Sequence, residues 1–528
     1  MMNNTLPVDE LVRRIADREA SRTALVWREQ ETSYLNLDSR VDQVAYGLLR
    51  LGVKTGSRVA LYLHNIPQFV ESYLAIMRIG AIAVPINVLH EGRDLEYILA
   101  NCGAIGIITI APYYPRLRQI RERLVRLKWV IALSGNSPQP PDTIPWDNLI
   151  NEPLPGRLDS FAEPEDVAVI AYSAGTSGPP RGAMLTHLNM LANYRQFTAM
   201  QQVDFAVDSS EVVLLPMPLF NLYGLNIGLN HTLMIGGMLV LMERFDSVKA
   251  LEYIQKYHCT TIHGTPSIFR DLVNSPDISQ VDLTSLRWAF SYGAPLPDEV
   301  FRAFAKRTKL PIYECYGLVE AGPIVASTAA ATVPRPGSVG QPLPGLKVRL
   351  VDSNERDVPA GSIGELMVSG ENMMQDYFNL RTFEQQLTDE EPPTVSKAPL
   401  WLNTGDMAWM DPDYNLYIVD RREDMMFIEG EMIFPREIED ALTTHPAIAE
   451  AAVVGVRAPN VEPHFEAVVV LDQYNKNVNE VQLLEYLKGI LPPKRLPLRI
   501  YFADYLPRLV NGRVMRRAVR PSPTLLKG

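Results

Sequence analysis

The sequence predicts an α/β protein: a large N-terminal domain of two doubly wound α/β subdomains and a β-barrel-like subdomain, then a small α+β C-terminal domain. Three features predict it. Residues 34–110 alternate helical and strand patterns, residues 165–330 repeat that theme, and residues 335–420 turn to short strands between glycine- and proline-rich turns. Helix–strand succession of this kind implies parallel strands in a sheet covered on both faces.

Element by element, LDSRVDQVAYGLLRLG carries apolar residues at helical spacing and stops at Gly52, and SRVALYL is a short apolar strand. PQFVESYLAIMRIG is a second helix ending at glycine, followed by AIAVPIN, and DLEYILANCG with AIGIITI repeats the unit. The second region supplies DVAVIAYS, TIHGTP and RWAFSYGAPLP. Between Glu211 and Glu243 no side chain is charged, a length that can span a bilayer. Prolines 216 and 218, four glycines and Asn221, Asn226, Asn230 and His231 interrupt it, so it reads as a buried strand, the helix YGLNIGLNHTLMI and a second buried strand. KVRLVD, GELMVSG and NLYIVD are the short strands of the third region. Beyond Arg421 come a helix (PREIEDALTTHP), two strands (AEAAVVGV and FEAVVVLD) and a helix (NEVQLLEYLKGIL). The domains are thus read as 1–420 and 421–528.

At 528 residues the chain exceeds what one hydrophobic core supports. A content of 47% hydrophobic and 21% charged residues suits a globular enzyme rather than a disordered chain. Sixty-one acids against 50 bases give a net charge of −11, which argues against a broad nucleic-acid surface. Cys102, Cys259 and Cys315 are far apart with no metal spacing, and read as reduced, buried thiols. The first twenty residues lack an apolar stretch of signal-peptide length, so a cytoplasmic location is expected, with membrane contact at most peripheral.

Chemistry concentrates in four segments. YSAGTSGPPRG, Tyr172–Gly182, has glycines for tight turns, hydroxyls on Ser173, Thr176 and Ser177, and the positive charge of Arg181. With a helix (THLNMLANY) aiming its N-terminal dipole at the loop, this is either a phosphate cradle or a polar surface loop. It is not a Walker loop, because no GK[ST] follows the glycines. In YECYGLVEAG, Glu320 can hold a hard cation, or equally cap a helix or face solvent. In TGDMAWMDPDYNLYIVDRRED, Asp406 follows a turn and can accept both hydroxyls of a ribose, and Arg421 sits at the presumed domain junction. In PRLVNGRVMRR the basic run of Arg508, Arg513, Arg516 and Arg517 is either a site or a solvated face.

In order and spacing, the loop at 172–182, GAP at 293–295, YG-x-x-E at 316–320, TGD at 404–406, DR at 420–421 and G-[basic]-V-x-R-R at 512–517 resemble the adenylate-forming superfamily. That superfamily includes acyl-CoA synthetases, beetle luciferases and the adenylation domains of peptide synthetases. The resemblance covers essentially the whole chain. PMPLFNLYGLNIGLNHTLMIGGMLVLMERFD, DLTSLRWAFSYGAPLP, GSVGQPLPGLKVRLVD and GELMVSGENMM look most like medium- to long-chain fatty acyl-CoA ligases.

The resemblance implies ATP, magnesium and coenzyme A as cofactors, and an acid activated as acyl-AMP before transfer to a thiol. Ser173, Gly175, Thr176, Ser177 and Gly178 fall on the loop that wraps the β- and γ-phosphates. Gly293, Ala294 and Pro295 lie against adenine, with Tyr316 and Gly317 beside it. Glu320 matches the magnesium carboxylate, Asp406 the ribose ligand and Arg421 a further nucleotide contact. Arg513 falls where the family carries its adenylation lysine. Glu423 falls at the hinge about which a mobile C-terminal domain rotates, and Gly430 and Glu431 approach the pantetheine arm afterwards. Asn221, Tyr223 and Tyr292 line the acid side.

Several positions depart from that pattern. Both usual lysines are arginine, at 181 and 513, and arginine is planar and not an equivalent donor. Val319 replaces a threonine, Ala174 a glycine and Asn221 a histidine. Tyr292 replaces a glycine and narrows the expected acyl tunnel. Two readings stand: a working ligase, with coenzyme A, a carrier-protein thiol or an amine as acceptor, and a degenerate member that binds nucleotide without adenylating an acid.

Overall fold

A computed structural model describes residues 6–173, 180–201, 208–331, 335, 337–378, 401–428, 431–456, 463–472, 478–508 and 514–519. The chain divides into two compact units, one of residues 1–175, 179–347 and 369–402, the other of residues 176–178, 348–368 and 403–528.

The first unit is built on two sheets of the same design. In one, Arg58–Tyr62 is central, Ile82–Pro85 lies on one side, and Gly106–Ile110 then Trp129–Leu133 lie on the other, all parallel. The chain therefore reverses its direction of travel across the sheet after its second strand, which defines a doubly wound fold. The second sheet repeats the order: Val212–Leu215 central, Met238–Leu241 on one side, and Thr261–Gly264, Trp288–Tyr292 and Tyr313–Gly317 on the other. Buried faces on both sides explain why strands such as VALY and VLL are continuous apolar runs rather than alternating ones. The α/β architecture expected from the alternation is present.

Local chemistry sets the helix ends. Ser33 Oγ accepts the Asn36 N–H at 3.2 Å and caps Tyr34–Arg50. Pro67 opens Pro67–Arg78, where its missing N–H costs nothing. Arg13 and Arg78 are buried with Asp38 and Asp42, pairing at 2.6–3.2 Å and tying the first helix, Val8–Arg18, to the next two.

The uncharged 211–243 stretch forms a strand, a helical segment and a strand, as read. The helical segment differs in detail. Tyr223–Asn230 is π-helical and only His231–Ile235 is α-helical. Glycines permit the close packing there: a Cβ on Gly224 would lie 2.4 Å from Pro218 O, and one on Gly228 2.5 Å from Leu215 Cδ1. Widened turns of this kind concentrate at functional sites. Among the described residues, no helix is long and apolar enough to cross a membrane. The three cysteines are buried, which pushes each thiol up to about 12.

The second unit holds a four-stranded sheet in the order Lys347–Val351, Gly364–Ser369, Leu402–Met410, Leu416–Arg421. Beyond it, Ile448–Val456, His464–Leu471 and Arg499–Phe502 form a three-stranded sheet. The helices Pro435–Thr443 and Glu480–Lys488 cover it, with Ile438, Leu442, Val453, Phe465, Leu483 and Leu487 in the core. Asn479 and Gln482 form a capping box at the start of the second helix.

Candidate active site

In the first unit the strands Val167–Tyr172 and Gly182–Thr186 pair antiparallel. Ser173 N–H donates to Arg181 O at 3.0 Å and its hydroxyl to the same oxygen at 3.4 Å, closing the chain on both sides of the glycine-rich loop. Gly175, Thr176, Ser177 and Gly178 lie outside the described residues. One expectation is corrected here. The helix His187–Gln201 does not aim its N-terminus at this loop, because the strand GAMLT intervenes. Those five buried residues span roughly 16 Å at about 3.3 Å each, beyond the reach of the terminal dipole.

The edge strand Asp376–Phe378 pairs with Gly182–Met184 and brings Tyr377 beside this turn. The Arg181 guanidinium lies 4.5 Å from the Tyr377 ring centroid. The Tyr377 hydroxyl donates to Glu320 Oε1 at 2.7 Å. Glu320 is buried in the turn Val319–Ala321, and its own carbonyl accepts the Met374 N–H at 2.8 Å. Arg181 and Glu320, 139 residues apart in sequence, are thus joined through one tyrosine. A planar guanidinium stacks on a phenol face better than an ammonium does, which gives the arginine at 181 a physical partner.

Glu320 lies three residues beyond the C-terminal end of the Tyr313–Gly317 strand, the side of a doubly wound sheet where ligands usually bind. Tyr377 holds one oxygen of the carboxylate, and the other can meet a hard cation. Among the described residues no group of three or more His, Cys, Asp or Glu can hold a metal alone. The one carboxylate of Glu320 fits magnesium, which is commonly carried by one or two carboxylates together with phosphates. Because Tyr377→Phe removes a hydrogen bond to an ionised group while keeping the ring under Arg181, it should lower any magnesium-dependent turnover by about 10-fold. Initial rates at saturating ATP check this.

Tyr292 ends its strand, and Gly293 follows at φ +96°, a conformation open to glycine at little cost. Ala294 is half-buried and Pro295 exposed in the turn that follows. The Tyr292 ring stacks on Tyr223, with centroids 4.4 Å apart and planes at 15°. Asn221 Oδ1 accepts the Tyr223 N–H at 2.8 Å, so its side chain fixes the start of the π-helical turn. The Tyr223 hydroxyl meets His263 Nδ1 at 2.8 Å, and His263 stacks on Phe290 at 5.4 Å. Burial lowers the His263 imidazole to about 3, so it is neutral at physiological pH. By strand alternation Tyr316 faces away from the Tyr292 and Cys315 side. A Cβ on the adjoining Gly317 would lie 2.0 Å from Pro323 O, so only glycine fits.

In the second unit Thr404, Gly405 and Asp406 lie within the Leu402–Met410 strand, so Asp406 does not follow the expected turn; Gly405 takes φ +71° there. Asp406 is buried and faces Arg421 across neighbouring strands, with Arg421 Nε 2.8 Å from Asp406 Oδ1. Arg421 Nη1 also donates to Thr404 O at 3.1 Å. Glu423 is exposed in the turn after this strand. Glu431 is exposed on the Glu431–Ile433 strand, 3.3 Å from Lys494 Nζ. Gly430 and Arg513 lie outside the described residues. The basic run is not a simple solvated face: Arg516 is largely buried among Asp420, Asp424 and Glu439, and Arg508 pairs with Glu450 at 2.6 Å.

Sequence reasoning missed Tyr377, which carries no local signal because it acts through partners distant in sequence, and it named Arg516 only as one of a basic run, without its three carboxylate partners.

Two doubly wound subdomains, an acidic turn at strand ends and a separate small α+β unit define the architecture of an adenylate-forming enzyme. The chain belongs to the AMP-binding enzyme family, whose profile matches residues 12–378, while the AMP-binding enzyme C-terminal domain matches residues 437–513. A long-chain-fatty-acid–CoA ligase of Bacillus subtilis (strain 168) is 31% identical over 96% of this chain and 93% of its own length. A 4-coumarate–CoA ligase of Pinus taeda is 30% identical over 97% and 93%. The crystal structure of the anthranilate CoA ligase AuaEII with anthranoyl-AMP superposes with a TM-score of 0.83 at 26% identity, covering 98% of this chain and 96% of that one. The family is one of ATP-dependent, AMP-forming acyl-CoA ligases, which use ATP, magnesium and coenzyme A.

Proposed function

We propose that this chain activates a medium- or long-chain fatty acid as its acyl-adenylate and transfers the acyl group to coenzyme A. The observation that carries the reading is the Arg181–Tyr377–Glu320 line, which sets a cation beside a carboxylate next to a glycine-rich turn. The fatty acid is favoured by the sequence blocks at 216–246 and 282–297 and by the Bacillus subtilis relative.

In this reading Arg181, Ser173, Gly175, Thr176, Ser177 and Gly178 meet the β- and γ-phosphates. Glu320 holds magnesium, with Tyr377 fixing its rotamer. Magnesium, when bound, supplies charge neutralisation across the phosphates. Gly293, Ala294, Pro295, Tyr316 and Gly317 flank adenine, and Asp406 and Arg421 take the ribose side. The acid's carboxylate attacks the α-phosphorus, forming the new O–P bond as the bond to pyrophosphate breaks, and Arg513 steadies the charge that develops. The thiol sulfur then attacks the acyl carbon, its proton passes to solvent, and AMP leaves with the electrons of the C–O bond. Gly430 and Glu431 serve this second step after movement about Glu423.

The test is thiol consumption by purified protein with ATP, magnesium, coenzyme A and fatty acids of graded length. Stoichiometric loss of free thiol with AMP formation supports the reading. Acid-dependent AMP formation without thiol loss reassigns the acceptor to a carrier-protein thiol or an amine, and assays with those acceptors separate the two.

Tyr292 gives a further prediction. Its ring occupies space where the superfamily pattern carries glycine, against Tyr223 and on the acid side. Tyr292→Gly should raise kcat/KM for tetradecanoate relative to octanoate by about 10-fold or more, as expected for added apolar pocket length. An unchanged ratio removes Tyr292 from the acid pocket.

A further inference from the structure

Arg516 makes four hydrogen bonds to three carboxylates. Its Nη1 reaches Asp420 Oδ1 at 2.6 Å and Asp424 Oδ2 at 2.8 Å. Its Nε and Nη2 fork onto Glu439 Oε1 and Oε2 at 3.0 and 2.7 Å. The side chain is only 16% exposed, and that of Asp420 only 4%. Each carboxylate belongs to a different element. Asp420 ends the Leu416–Arg421 strand of the four-stranded sheet, and its Oδ2 accepts the Arg436 N–H at 3.0 Å. Asp424 lies in the following turn, and Glu439 on the Pro435–Thr443 helix, where Oε1 also accepts the Val453 N–H at 2.8 Å. A bidentate fork on a buried carboxylate is among the strongest side-chain contacts. Its cost of desolvation suits a device that fixes geometry rather than one that merely adds stability.

The three partners divide at Glu423. Asp424 and Glu439 follow it in the chain and would travel with Arg516 in any turning of the C-terminal domain there. Asp420 precedes it and would stay with the four-stranded sheet. Of the Arg516 contacts only that to Asp420 must therefore break, together with the Asp420–Arg436 N–H bond. Arg513 stands three residues before Arg516 in the sequence.

We propose that Arg516 and Asp420 form a clasp that positions the C-terminal segment for the adenylation half-reaction and opens for thiol transfer. This rests on the ligase reading above. Arg516 is a positioning residue in this account, acting through the segment it anchors. Because a displacement of about an ångström at a reacting centre can cost ~100-fold, a loosened clasp should slow adenylation selectively.

The test measures both half-reactions separately in the full chain: ATP–pyrophosphate exchange, and thioester formation from supplied acyl-adenylate and coenzyme A. Asp420→Asn keeps the size of the side chain and removes its charge, and Arg516→Lys keeps the charge and removes the fork. Both variants should lose about 10-fold or more in exchange while thioester formation stays within about 2-fold of wild type. An equal fall in both half-reactions makes the cluster a fold-stabilising one and overturns the clasp, as does unchanged exchange. Wild-type protein inactive in both half-reactions removes the ligase reading, and the clasp with it.

Discussion

Glu320→Gln should lower ATP–pyrophosphate exchange by about two to three orders of magnitude, the scale on which losing one aligned charge-stabilising group is felt. The substitution is nearly isosteric and keeps an oxygen for the Tyr377 hydroxyl, which donates to Glu320 Oε1 at 2.7 Å in the native protein. What it removes is the negative charge proposed to hold magnesium, so raised magnesium should recover part of the rate. A loss that no magnesium concentration relieves, with unaltered nucleotide binding, assigns Glu320 to packing instead. Tyr377→Phe should show the same magnesium dependence in weaker form, because it frees the carboxylate without discharging it.

The second large effect is on Asp406. Asp406→Asn should raise KM for ATP by about 10- to 100-fold and change kcat much less, since the ribose contacts proposed for it would be made equally before and during adenylyl transfer. Stability should fall as well. Arg421 Nε stands 2.8 Å from the Asp406 carboxylate, and the carboxylate is buried. A guanidinium that loses its charged partner in such surroundings destabilises the fold, commonly by ~3–5 kcal/mol. The two consequences separate in the assay: saturating ATP restores the rate but leaves the thermal midpoint low. An unchanged KM alongside a lowered midpoint means that the carboxylate serves Arg421 alone.

Which parts of this were legible in the sequence follows from the range of the interactions. The two doubly wound sheets could be read because buried parallel strands and glycine-terminated helices leave signatures within about twenty residues. Glu320 and Asp406 could be singled out because each follows a glycine in its own short motif. The hairpin after Tyr172 could not be read. GAMLT is apolar on both faces and runs directly into the helix His187–Gln201, so the sequence offers no periodicity to separate strand from helix. Tyr377 reaches Arg181 only because Asp376–Phe378 pairs with Gly182–Met184 across nearly two hundred residues. Arg516 could not be told from the other bases of its run, a site or a solvated face alike, because its carboxylates lie 77 to 96 residues away in sequence. The π-helical form of Tyr223–Asn230 depends on how Gly224 and Gly228 approach Pro218 and Leu215. That is a tertiary fact which helix periodicity does not carry.

Arginine at positions 181 and 513 is the sharpest departure from the superfamily pattern, and only activity can weigh it. The most direct measurement is ATP–pyrophosphate exchange by the purified wild-type chain with magnesium and fatty acids of graded length. The account predicts exchange that requires both the acid and magnesium and collapses in Glu320→Gln. Saturable ATP binding with no exchange for any acid would contradict it and leave a nucleotide-binding protein without adenylation chemistry.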